Sequence, residues 1–362
     1  MLFHEVNHLN AEIRPQLQQQ VLFKNGDEGY AVYRIPSVVV TPHGTILAFC
    51  EGRRNNGGDW DDIDLALRRS SDGGQNWSAL EFIADQGRLS LGNPCPVVDR
   101  TTGTIWLPFS RGSAPGRGNA EIVLIKSTDD GQTWSDPINI SNTAMDPSWP
   151  YVGTGPGHGI QLQSGRLLIP CWADATPRWG EVQTSYCFYS DDHGSSWNLG
   201  KPLTRNASDE CDVVELVNGH IYLNARSRLD KRQRAYAFSE DGGHSWSDVE
   251  YDARQPEPSC DGALIRLSNT DHHHKNRILV SCPANPNSRD HMTIRLSYDE
   301  CQTWPVEKIL NSDYSGYSDM AVTQDGTILC LYETHSCSKI TLARFNIEWL
   351  TDGKDSLLPK QP

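Results

Sequence analysis

The chain has 362 residues, 37% of them hydrophobic and 22% charged, with a formal net charge of −14 at pH 7. That acidity argues against nucleic acid or an anionic membrane as a general partner, so an anionic substrate would have to be drawn in by a local cluster of arginines. No stretch approaches the roughly 18 apolar residues of a spanning helix, and the length exceeds what one core usually fills unless the chain repeats a small unit.

Residues 1–20 are mostly polar, end in a run holding Gln16, Gln18, Gln19 and Gln20, and read as a lead-in. The start, Met1 to His8, has neither the basic segment nor the apolar segment of a secretory leader. The expectation is a cytoplasmic protein, or a secreted or periplasmic one if a leader preceded this sequence. Ten cysteines are scattered without a CxxC pair and are expected to be mostly reduced and buried.

From Val21 the pattern becomes strand, turn, strand. Ser37 to Val40, the turn Pro42-His43-Gly44 and Thr45 to Phe49 form a hairpin of β-branched runs around a glycine. The hairpin returns at Thr102-Gly103, Ser164-Gly165, Asn218-Gly219 and Asp325-Gly326, and a longer one joins Ala263–Ile265 to Ile278–Val280. The loop of that last hairpin holds His272, His273 and His274, which lack ligand spacing and predict a solvated loop rather than a metal site.

Between hairpins one phrase recurs, Ser-x-Asp-x-Gly-x-x-Trp: Ser70 to Trp77, Ser127 to Trp134, Ser190 to Trp197, Ser239 to Trp246 and, with Cys301 replacing the glycine, Ser297 to Trp304. The starts lie 57, 63, 49 and 58 residues apart, the spacing of a repeated supersecondary unit. Ser and Asp would bond nearby backbone N–H groups, Gly would take the positive φ, and Trp would bury beneath the turn. Six hairpins and five such turns predict an all-β fold, a six-bladed β-propeller of four-stranded antiparallel blades over residues 21–350. Thr341 to Phe345 has no turn phrase after it, so a strand near Val21-Leu22-Phe23 is expected to complete that blade and close the ring. Residues 351–362 read as a polar tail.

Arg34 in Tyr33-Arg34-Ile35-Pro36, Arg226 after Leu223-Asn224-Ala225 and Arg289 in a Pro/Asn-rich loop each sit at a loop or strand junction of a different unit. Innermost strand ends converge on a propeller axis, so three guanidiniums there would clamp a carboxylate. From charge alone, solvated or paired structural arginines remain the alternative.

At these residues the sequence resembles the exo-α-sialidases (neuraminidases), bacterial secreted and vertebrate cytosolic alike, over nearly all of residues 21–345. The motifs are Tyr33-Arg34-Ile35-Pro36, the five repeated turns (Asp boxes), Asn93-Pro94-Cys95-Pro96, Gly155-Pro156-Gly157-His158, Glu210-Cys211-Asp212-Val213, Leu223 to Arg226, Gly316-Tyr317-Ser318-Asp319 and Leu331-Tyr332-Glu333. The resemblance implies that Arg34, Arg226 and Arg289 grip the sialic acid carboxylate, with Glu333 holding Arg34. It makes Tyr317 the nucleophile, Glu210 its base and Asp59 the acid/base, with Asp61 or Asp62 as substitutes because the segment Asp59-Trp60-Asp61-Asp62 is crowded with carboxylates. Arg53 and Asn93 would touch substrate, and the ring faces of Trp149, Tyr151, Trp172 or Trp179 would stack on it.

The implied reaction is retaining hydrolysis of terminal α-linked sialic acid from a glycan or glycolipid through a covalent tyrosyl intermediate, without metal or organic cofactor. Sialic acid carries its carboxylate on the anomeric carbon, so a neutral phenol approaches where a carboxylate would be repelled. A tyrosine of pKa about 10 needs a base in contact, and the acid needs a raised pKa of the desolvated kind. Trp60, next to Asp59, would help exclude water. A Kdn-preferring or transfer-biased relative, or a non-catalytic sialic-acid-binding propeller, are the other readings.

Overall fold

The computed structural model describes residues 14–113, 120–176, 180–204 and 206–357. Antiparallel strands dominate, and the α-helices among the described residues are two four-residue pieces, Ser141–Ala144 and Ile347–Leu350. None of its helices is long and apolar enough to cross a membrane.

The strands pair with their sequence neighbours in groups. Val32–Val40, Ile46–Arg53, Ile63–Ser70 and Glu81–Ala84 pair in that order, followed by Val97–Val98, Ile105–Ser113, Glu121–Ser127 and Ile138–Asn139. Next, Tyr151–Thr154 and Ile160–Gln161 share an edge of Leu167–Asp174, which leads to Gln183–Ser190 and Asn198–Leu199. Ser208–Glu215, Ile221–Ser227, Gln233–Ser239 and Glu250–Pro256 form another group. Ala263–Ser268, Arg277–Pro283 and Asp290–Ser297 pair on to the first part of the long strand Val306–Val322. The second part of that strand pairs with Ile328–Thr334, then Lys339–Phe345, then Leu17–Lys24. Hydrogen bonds gather these groups into sheets of 7, 9, 5 and 4 strands, because Val306–Val322 serves two groups and Leu89–Gly92 bridges two others.

The core lies between successive groups, as the strand period of two dictates when both faces are covered. In Ile46–Arg53, Leu47 and Phe49 pack with Leu107 and Phe109 of the second group, whereas Ile46, Ala48 and Cys50 pack with Leu329 and Leu342 of the last. The last group therefore shares a core with the first. The repeated turns adopt one geometry: the Ser70 hydroxyl donates to Asp72 and accepts from Gly74 N–H, while Asp72 accepts from Asn76 N–H. Cys301 holds the glycine position of the fifth turn with φ 68° and the same bond to the Ser297 hydroxyl.

The expected closing strand exists, but it starts at Leu17, so Gln18, Gln19 and Gln20 are paired strand rather than lead-in. The polar tail is also corrected over its described part, 351–357. The Asp355 carboxylate is buried and takes Arg277 at 2.7 and 2.8 Å, Tyr298 at 2.9 Å and Lys275 at 3.1 Å, and Leu357 packs on the core. Nine of the ten cysteines are buried, and all are free thiols.

Candidate active site

Three site residues stand where strand register breaks: between Arg34 and Ser37, between Ser208 and Cys211 around Glu210, and between Ser315 and Ser318 around Tyr317. An irregularity of this kind bends a strand and re-aims a side chain, and all three line one cavity of about 430 Å³. Arg226, near the end of Ile221–Ser227, and Arg289, just before Asp290–Ser297, line the same cavity. Antiparallel pairing places the starts of first strands beside the ends of second strands, which brings these positions to one edge. The opposite ends of the first strands wall a separate cavity of about 360 Å³ with Val40, Glu215 and Arg266, and none of the site residues expected from the sequence lines it.

The Tyr317 hydroxyl donates to Glu210 Oε1 at 2.5 Å. Arg226 Nη1 donates to Glu210 Oε2 at 2.9 Å and to the Tyr317 oxygen at 3.0 Å. The guanidinium carbons of Arg34 and Arg289 lie 5.4 and 5.2 Å from the Tyr317 ring centroid. Burial pushes the phenol well above its ordinary pKa and Glu210 adds to that, while Arg226 and Arg289 pull it down. At rest Tyr317 is thus a neutral phenol with its proton aimed at a carboxylate.

Glu333 is fully buried and accepts from Arg34 Nε at 2.5 Å, Arg34 Nη2 at 3.2 Å, Ile35 N–H at 3.0 Å and Tyr317 N–H at 3.1 Å. Burial raises its pKa, but Arg34 and the two N–H groups outweigh this and hold it below the usual glutamate value. It therefore fixes both Arg34 and the backbone of Tyr317. Gly316 is required here, because a Cβ would stand 2.2 Å from a Glu333 oxygen.

Asp59 lies across the cavity with its side chain 69% exposed, and Arg53 Nη1 donates to it at 2.8 Å. The desolvated setting expected for the acid is absent at this exposure. Of the substitutes, Asp61 accepts from the N–H groups of Asn55, Asn56 and Gly57 and from the Asn55 side chain. Burial raises its pKa, yet those bonds outweigh it and hold Asp61 at about 2, the character of a loop clasp. Asp62 lies 3.5 Å from Arg54 and, like Asp61, does not line the cavity with Tyr317. Arg53 is itself gripped by Glu51, a residue that sequence reasoning passed over, at 2.7 and 2.8 Å, and Glu51 also accepts Asn93 N–H. Its signal was the strand period of two, which puts Glu51 and Arg53 on one face.

Trp172 lines the cavity and Trp60 stacks edge-on against Tyr151 at 5.3 Å. Trp149 packs on Tyr186 at 4.8 Å inside the core and does not line the cavity. Trp179 lies outside the described residues. Arg228, Asp209 and Gln183 join the lining without having been singled out.

The motifs holding His158, Asp212 and Asp319 meet behind the cavity. His158 Nδ1 lies 2.8 Å from Asp319 and 3.9 Å from Asp212, within a cluster whose ligand atoms suit a metal by distance. The carboxylates are already taken by the N–H groups of Val38, Met320, Val213 and Leu264. That occupancy makes the cluster an ionic strap across the first strands. Burial opposes the imidazolium, but Asp319 and Asp212 outweigh it and raise His158 to about 9.

A family model of BNR repeat-like domains matches residues 44–330. The chain is 34% identical to a sialidase of Micromonospora viridifaciens over 93% of its own length, and spans 55% of that relative. It is 31% identical to sialidase-2 of Cricetulus griseus, with 92% of this chain and 96% of that one covered. Among solved structures, a Hadza microbial sialidase superposes with a TM-score of 0.81 at 29% identity, covering 90% of this chain and 68% of that one. On the match to the repeat model and to relatives across nearly its whole described length, the chain belongs to the sialidase family.

Proposed function

We propose that the protein is an exo-α-sialidase that hydrolyses terminal α-linked sialic acids with retention, and that its strand groups are six blades of one propeller. The observation carrying the activity is Tyr317 in hydrogen-bond contact with Glu210 beneath Arg34, Arg226 and Arg289. Support for the blade count comes from the six groups of neighbours and from the core shared between the last group and the first.

In this reading the arginines hold the substrate carboxylate, which sets the anomeric carbon over the Tyr317 oxygen. Glu210 accepts the phenolic proton as the oxygen attacks, and Asp59 delivers a proton to the departing aglycone oxygen. A seated aglycone would cover Asp59 and supply the desolvation that the open site lacks. The ionised Asp59 then takes a proton from water as that water attacks the anomeric carbon, and Tyr317 leaves with the proton returned by Glu210. Two inversions give α-sialic acid as the first product.

The test is turnover of a fluorogenic sialoside beside its Kdn analogue, with NMR of the first-formed anomer, for wild type, Tyr317→Phe and Glu210→Gln. Expected are an α-product and losses of several orders of magnitude in each variant, with the double variant little worse than either, as for groups acting as a unit. A β-product, or variants that retain activity, would refute the reading. Binding without turnover by the wild type would instead favour the non-catalytic propeller.

A further inference from the structure

We propose that the segment Arg228–Arg232, together with Pro258 and Ser259, forms a subsite beside the sialic acid pocket for a second anionic group on the aglycone. Two sources share that chemistry: the carboxylate of an inner sialic acid and a sulfate ester on a neutral sugar. The inference rests on the sialidase reading and adds a substrate class to it.

These residues line a cavity of about 380 Å³, and Arg228 borders both it and the pocket that holds Tyr317. Ser259 ties the two together. Its hydroxyl accepts from Arg226 Nε at 3.0 Å, and its carbonyl accepts from Arg289 Nη2 at 3.1 Å. The cavity therefore abuts two of the arginines assigned to the substrate carboxylate.

Within a chain of net charge −14 the run Arg228-Leu229-Asp230-Lys231-Arg232 holds three cations and one acid. Arg228 is engaged by Asp209 at 3.4 Å and by the Gly180 carbonyl at 2.8 Å. Arg232 pairs with Asp230 and donates to the Pro286 carbonyl at 2.9 Å, which pins the segment against the loop bearing Arg289. Lys231, exposed like Arg232, differs from both in joining no ion pair among the described residues; its ammonium lies 5.1 Å from the Tyr251 ring centroid.

The backbone is held in an unusual shape. Leu229, Asp230, Arg232 and Ser259 all have φ between 53° and 60°, a left-handed conformation that side-chain-bearing residues adopt at a cost and that clusters at ligand clamps. Leu229 is 63% exposed beside this cavity, an apolar surface for the C–H face of a sugar ring. An ammonium ready to pair, a rigid strap and an apolar step side by side suit a charged sugar more than a neutral one.

The experiment compares kcat/KM on α2,3-sialyllactose, an α2,8-linked disialyl-lactose and a sulfated α2,3-sialyl-N-acetyllactosamine, for wild type, Lys231→Ala and Lys231→Glu. Charge reversal should lower kcat/KM on a dianionic substrate about 5- to 10-fold, chiefly through KM, and leave sialyllactose within about twofold. Lys231→Ala should fall between, and the wild-type preference should weaken between about 50 and 300 mM salt. A loss confined to the disialyl arm identifies an inner sialic acid as the occupant, and one confined to the sulfated arm identifies a sulfate. Equal changes on all three substrates, or none on any, overturn the subsite while leaving the sialidase reading intact. A wild type that cleaves none of the three overturns both.

Discussion

Glu333→Gln keeps the shape of a buried side chain and removes one charge from the centre of the site. The carboxylate serves five donors: Arg34 Nε and Nη2, the N–H groups of Ile35 and Tyr317, and the Cys337 thiol. A glutamine has one acceptor oxygen for them and turns an NH₂ group toward the rest, while Arg34 loses the one ion pair it makes among the described residues. Breaking a buried pair from one side costs about 3–5 kcal/mol. The Arg34 side chain is 16% exposed toward the cavity, so water recovers part of this, and about 3 kcal/mol is the expected loss. At roughly 2 °C per kcal/mol for a domain of this size, the melting temperature should fall by about 6 °C. Released from its anchor, Arg34 should grip the substrate carboxylate poorly, and KM should rise about tenfold or more. Calorimetry and steady-state kinetics on one preparation read both effects. A melt within about 1 °C of wild type together with an unchanged KM would refute the view that Glu333 holds Arg34 and braces Tyr317.

Asp59→Asn should slow hydrolysis of sialyllactose about 100-fold or more but cost far less on a sialoside whose phenol leaves without a proton; equal losses on both would remove Asp59 from the acid role. Asp61→Asn should lower stability by about 1–2 kcal/mol, seen in urea unfolding, with no such dependence on leaving group, because Asp61 clasps the loop 55–57. The strap behind the site should make stability fall as pH rises. Burial raises Asp212 to about 7, so its contribution is lost between the usual carboxylate range and pH 7, whereas His158, raised to about 9, contributes below its ordinary value near 6.5 and loses this through pH 9. Thermal melts across pH 6.5–9 should decline in wild type, because folded His158 gives up its proton only through pH 9; a flat or rising profile would contradict the pairing.

Much of the fold was legible because the turn chemistry is local. Ser70, Asp72 and Gly74 satisfy one another within a few residues, so the signal survives in sequence and marks every copy. Even Cys301 keeps the turn, since the Ser297 and Asp299 bonds persist without glycine. Register breaks carry no such mark, and it is these that aim Arg34, Glu210 and Tyr317 at one point. Glu51 and Arg228 escaped notice for a related reason: each acts through partners brought near by pairing between strands or loops. The docking of Asp355 on Arg277 across 78 residues turned an unremarkable polar run into part of the wall. Asp61 was the reverse case, a carboxylate whose composition suggested chemistry and whose bonds are those of a loop clasp.

In the proposed reaction Tyr317 attacks the anomeric carbon with Glu210 taking its proton. Incubation with a 3-fluorosialyl fluoride, followed by peptide mass spectrometry, tests it most directly. The expected result is a single fluorosialyl adduct on the Tyr317 peptide that is absent from Tyr317→Phe and forms orders of magnitude more slowly in Glu210→Gln. An adduct on Asp59, Glu210 or any other carboxylate, or inactivation that proceeds unchanged in Tyr317→Phe, would contradict it.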